Sequence, residues 1–254
     1  MRVDVLALQR FYASPLGGAV RRAASRRLGA LWPNAQGLDL LGLGYPAPYL
    51  QRYRASARRV VAMMPAEQGA EPWPAEAVAT ALAEDSRLPF MDAVFDRVLL
   101  VHAIEECAAP HAMLREVWRV MAPEGRLVVL AANRWSFWAQ SDASPFGHGR
   151  PYSRTQLAAL LSDSLFEPVV SARALYAPPT NWAPLVRAAD AFESVGEVLW
   201  PAQGGLVLME AVKRLYASTA RSEGRVLLAK APERTRQGAP GSLPKRDQCR
   251  LFSA

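Results

Sequence analysis

Gly37-Leu38-Asp39-Leu40-Leu41-Gly42-Leu43-Gly44-Tyr45-Pro46-Ala47 is the stretch that decides the fold. A short apolar run ending in glycines is the pattern of a buried parallel strand that delivers its chain into a tight turn and then a helix. Within it, Gly42-x-Gly44-x-x-Ala47 matches a G-x-G-x-x-A turn, in which missing side chains let a nucleotide cofactor approach the backbone. Any tight strand-to-helix turn uses glycine, so the match is weak alone; its place after a buried strand carrying Asp39 strengthens it. A second buried run, Arg59-Val60-Val61-Ala62-Met63-Met64-Pro65, follows at the spacing of one βαβ crossover, giving the first half of a doubly wound sheet.

Downstream, strand and helix keep alternating, which predicts a parallel α/β architecture. Gly69 to Pro74 reads as loop, Ala79 to Ala83 as a short strand, Asp96 to His102 as a strand and Pro110 to Met121 as a helix, followed by a strand over Gly125 to Ala131. Ser153 and Gln156 form a capping box that opens a helix over Thr155 to Leu161. Glu167 to Leu175 and Gly205 to Val212 read as two more strands with a helix over Pro184 to Leu199 between them. Upstream, Val5 to Leu31 is helix-like, with a break at Pro15-Leu16-Gly17-Gly18. These runs predict an N-terminal helical cover over 1–36, an α/β domain over 37–217 and a basic, disordered tail over 218–254.

The composition excludes several classes. Of 254 residues, 51% are hydrophobic and 21% charged, as in a globular protein rather than a fibrous or disordered one. Cys107 and Cys249 lie far apart without partners at metal-ligand spacing, so a disulfide framework or structural zinc is not expected. No apolar run approaches the roughly 20 residues of a membrane helix, and Asp4 and Arg10 stand where a signal peptide would be apolar, so a cytoplasmic protein without membrane insertion is expected. The formal charge is +7, but residues 1–30 carry six Arg and one Asp, and residues 231–254 five basic and two acidic residues. The ends thus hold +5 and +3, the body −1, which argues against a nucleic-acid partner.

Three further stretches carry a resemblance: Glu84-Asp85-Ser86-Arg87-Leu88-Pro89-Phe90 running on to Phe95-Asp96, then His102-Ala103-Ile104-Glu105, then Arg119-Val120-Met121-Ala122-Pro123-Glu124-Gly125. With the glycine turn, this order resembles the class I S-adenosylmethionine-dependent methyltransferases, particularly the ubiquinone/menaquinone-biosynthesis-like small-molecule branch, over about residues 37–133. The resemblance implies a Rossmann-like seven-stranded sheet with an antiparallel edge hairpin. It also implies S-adenosylmethionine as cofactor and methyl transfer to a small-molecule substrate. By analogy Asp39, Gly42 and Gly44 belong to the turn that faces the methionine part of the cofactor, Glu84 or Asp85 would face the adenine amino group, and His102 the methyl-donor side.

The chain departs from that family at three places. Pro46 stiffens the turn and removes an N–H donor. The acid that holds the ribose hydroxyls aligns with Met63 or Met64, leaving Glu67 to hold the ribose, or nothing. Glu106 replaces the second histidine of His-x-x-Glu-His. The missing acid also counts against a nicotinamide dehydrogenase. It keeps open a second reading, a degenerate methyltransferase fold that serves as a non-catalytic binding or regulatory partner of another protein.

His102 and His148 are the candidate proton-handling residues; each has an equally good structural role, His102 as a strand end and His148 as a loop residue between Gly147 and Gly149. Trp135, Trp138, His148 and Arg150 are candidate substrate contacts, with a plain hydrophobic lid as the alternative for the tryptophans.

Overall fold

The computed structural model describes residues 2–141 and 144–215 and the backbone of 227–228. In chain order the elements are α1 (Val5–Ala13), α2 (Pro15–Leu31), β1 (Asp39–Gly44), α3 (Ala47–Leu50), β2 (Arg59–Pro65), β3 (Thr80–Ala83), β4 (Phe95–Val101), α4 (Pro110–Val120), β5 (Met121–Ala132), α5 (Arg154–Asp163), β6 (Phe166–Ala174), α6 (Ala183–Arg187), α7 (Ala189–Leu199), β7 (Leu206–Lys213) and β8 (Leu227–Leu228). The strand order is β3-β2-β1-β4-β5-β7-β6-β8. β1 to β5 are parallel, and β7 runs antiparallel between β5 and β6. This is the expected seven-stranded sheet; β8 adds a two-residue parallel pairing at Val170 and Ser171. The expectation of a disordered tail lies, apart from 227–228, outside the described residues.

Continuous apolar strands follow from burial on both faces. Leu40, Met64, Leu99 and Val101 face a layer built with α1, α2 and α3, whereas Leu41, Leu43, Met63, Val98 and Leu100 face α4 and α5. Two helical predictions divide in the structure. The N-terminal helix breaks at Ser14, whose hydroxyl accepts from the Gly17 N–H and caps α2 ahead of Pro15. The long helix before β7 splits at Ala188 into α6 and α7. The capping box at Ser153 and Gln156 forms as expected.

The chain reverses its strand order between β1 and β4, so a crevice opens outside their carboxyl ends. Gly44, Pro65, Ala83, Val101 and Ala132 mark that edge of the sheet.

Candidate functional site

A pocket of about 350 Å³ lies on this edge, lined by Pro65, Ala66 and Glu67 after β2, by Glu84, Asp85 and Ser86 after β3, and by Cys107 to Ala109 after β4. Arg2 forms part of its wall. The Arg2 guanidinium pairs with Asp85 and lies 3.8 Å from the Glu67 carboxylate. Burial raises the Asp85 carboxyl above its usual range although Arg2 opposes the shift. Burial also pushes the Cys107 thiol up to about 11, so it stays protonated.

The second half of the edge is a buried knot of aromatic and polar groups. The Tyr12 hydroxyl lies 2.9 Å from His102 Nε2 and 3.1 Å from the Tyr49 hydroxyl. Tyr45 stacks on Tyr12, and Phe146 lies 4.5 Å from the His102 ring. Burial lowers the His102 imidazole to about 3, so the ring is neutral throughout the physiological range. Glu105 is buried; its Oε1 accepts from the Ala132 N–H at 3.0 Å, and burial raises its carboxyl to about 7. Residues 2–12 tie the parts together, since the Val3 N–H donates to Glu106, the Val5 N–H to the Gln68 carbonyl, and Gln9 to Glu71.

Of the residues expected at a cofactor site, Glu84, Asp85 and His102 come to this edge. Gly42 and Gly44 end β1 there, but their missing side chains make room for the chain itself. A methyl built on Gly42 would overlap Pro46 and Leu50, and one on Gly44, at φ +87°, would overlap the Val101 carbonyl. Asp39 stands at the opposite end of β1, where Arg58 donates to it at 2.6 and 2.9 Å and holds its carboxyl below the usual range. Met63 and Met64 are buried on opposite faces of the sheet, and Glu67 rather than either of them lines the pocket. Trp138 is a core residue whose indole N–H donates to the Ala177 carbonyl at 2.7 Å; Trp135 is 72% exposed. His148 and Arg150 are exposed beside Glu105 and Glu106, the Arg150 N–H donating to the Glu105 carbonyl.

Sequence reasoning missed Arg2, Tyr49, Gln68 and Glu105 as site residues. The His-x-x-Glu spacing, His102 to Glu105, was the one signal that could have raised Glu105. Three buried polar atoms at this edge have no partner among the described residues: Arg2 Nη1, Gln68 Oε1 and Glu105 Oε2. Unmatched donors and acceptors beside an open pocket suit a polar ligand, and the carboxylates of Glu67, Glu84 and Asp85 suit the hydroxyls and amino group of a nucleoside. The adenosyl half of S-adenosylmethionine therefore fits the residues present, whereas the glycine turn is filled by Pro46, Leu50 and the Gln68 amide, which donates to the Gly44 carbonyl at 3.0 Å.

Residues 38–129 match the family model described as a methyltransferase domain. A curated relative from Escherichia coli (strain K12), YafS, is 30% identical over 123 residues, 48% of each chain, so this chain spans about half the length of the relative it matches. Among solved structures, an S-adenosylmethionine-dependent methyltransferase from Thermotoga maritima superposes with a TM-score of 0.61 at 17% identity, covering 83% of this chain and 96% of that one. A chain of the Haloferax volcanii complex between the Trm112 methyltransferase activator and a methyltransferase gives 0.56 at 17%, covering 82% and 96%. The [4+2]-cyclase SpnF gives 0.53 at 18%, covering 76% and 80%. These likenesses establish the class I methyltransferase fold.

Proposed function

Given a chain whose residues 38–129 match a methyltransferase domain and which has the class I methyltransferase fold, we propose that it binds S-adenosylmethionine at the carboxyl ends of β1 to β4 and methylates a small molecule. The observation that carries this is the pocket at the ends of β2, β3 and β4, walled by Glu67, Glu84 and Asp85 and flanked by unpartnered buried polar atoms. Glu67 would hold the ribose hydroxyls and Asp85 or Glu84 the adenine amino group. Bound there, the cofactor supplies an electrophilic methyl group on a sulfonium.

The chain's own residues then have three tasks. The knot of Tyr12, Tyr45, Tyr49 and Phe146 excludes water, and exclusion with alignment is most of what an in-line displacement asks of a protein. His102, held neutral by burial and fixed by the Tyr12 hydroxyl at Nε2, serves as a rigid polar wall rather than as a proton acceptor. Glu105 holds the start of the loop after β5 through the Ala132 N–H.

The second reading, a cleft without catalysis, is favoured by one observation: the turn that would face the methionine half is filled by the chain itself, with Pro46 and Leu50 against Gly42 and the Gln68 amide donating to the Gly44 carbonyl at 3.0 Å. The chain of the Trm112 complex and the cyclase share the fold, which therefore does not by itself fix the chemistry. Calorimetric titration with S-adenosylmethionine and S-adenosylhomocysteine separates the two. Binding of both in the micromolar range, weakened in Glu67→Gln, is expected; no heat with either ligand would leave the non-catalytic partner.

A further inference from the structure

The segment 175–205 between β6 and β7 carries a helix that is inside out. On α7, Ala189, Glu193 and Gly196 are the buried residues, and Gly196 lies against the Tyr176 ring. A second side is acidic and meets α2, with Asp190 2.6 Å from Arg26 and Glu197 2.8 Å from Arg27. At 100° per residue, Ala191, Val195, Val198 and Leu199 fall on the remaining side, a stripe about 100° wide. That side faces outward: Val198 is 76% and Leu199 60% exposed. Trp182 before α6 and Trp200 after α7, both more than half exposed, stand at the two ends of the α6–α7 unit.

An outward apolar stripe bracketed by tryptophans, beside a helix whose only charges are positive, is the composition of a surface that lies in a membrane interface. α2 carries Arg21, Arg22, Arg26 and Arg27 and no acid. Arg22 is one turn before Arg26, on the α2 face that meets α7, and Arg187 is exposed on α6. Among the described residues no helix is long and apolar enough to cross a membrane, so the contact is with its surface.

We propose that the α6–α7 face docks on an anionic lipid surface, with Val195, Val198, Leu199 and the two tryptophans entering the headgroup region and Arg22 and Arg187 facing lipid phosphates. The unit leaves and re-enters the sheet where Ala174 and Ala132 both pair with Leu206, on the same edge as the pocket. Asn133, just after β5, donates to the Ala202 and Gly204 carbonyls at 3.0 and 2.8 Å.

The test is sedimentation of the full chain with vesicles of phosphatidylglycerol and phosphatidylcholine, against phosphatidylcholine alone. Binding to the anionic vesicles is expected, about tenfold or more weaker in V198S/L199S because two side chains no longer bury apolar surface. Both side chains are exposed, so the melting temperature of that variant should match the wild type. In R22A/R187A the preference for anionic vesicles should shrink. Absence of wild-type binding would overturn the proposal. Equal binding by V198S/L199S would also overturn it, assigning the effect to the basic chain ends. A change in oligomeric mass in that variant without a change in vesicle binding would give the stripe to a second copy of the chain.

Discussion

Replacing Glu105 by Gln tests the buried carboxyl at the centre of the site. Burial raises this group from its usual 4.5 to about 7, so the folded protein binds the proton more tightly than the unfolded chain does. The stabilisation is therefore complete below pH 4.5 and is lost as pH rises through 7. A difference of roughly 2.5 units at about 1.4 kcal/mol each amounts to about 3 kcal/mol between about pH 4 and pH 8. In Glu105→Gln the amide oxygen can keep the Ala132 N–H bond, while the amide nitrogen takes the place of Oε2, which has no partner. That buried donor destabilises the variant by a constant amount at every pH. Urea denaturation of both proteins from about pH 4 to pH 8 isolates the titration as the change in their stability difference. Wild type should lose about 3 kcal/mol relative to the variant as pH rises. Parallel curves, or a wild type that gains on the variant, would refute the buried, uncompensated carboxyl.

Gly44→Ala places a methyl group against the Val101 carbonyl at a φ of +87° and should cost about 3 kcal/mol or more in folding stability; a variant of unchanged stability with weaker cofactor binding would show instead that the turn opens to ligand. Met63→Asp and Met64→Asp should each lower the melting temperature by several degrees without tightening S-adenosylmethionine binding, because both side chains are inside the core layers. Tighter binding in either one would show that its side chain reaches the ribose.

The parallel sheet was legible in the sequence because its signals are local. Apolar runs such as Leu40 to Leu43 and Val98 to Val101, the proline-opened α4 and the capping box at Ser153 each depend on neighbours within a few residues, and hydrophobic periodicity reports them directly. The order of the motifs from Gly42 to Gly125 likewise carries the family resemblance. Which groups meet at the carboxyl edge depended on contacts no spacing displays: Tyr12 on His102 across 90 residues, Arg2 on Asp85 across 83. Asp39 shows the limit from the other side. Its place in the strand that carries the glycine turn suggested a cofactor role, but a strand rises about 3.3 Å per residue, so five residues from Gly44 it stands at the far end of the sheet with Arg58. The sequence predicts only a helix over Pro184 to Leu199; its packing through Ala189, Glu193 and Gly196 turns the side that bears Val195, Val198 and Leu199 outward. Periodicity tells which residues share a face; the partner that covers the face is chosen by the tertiary fold.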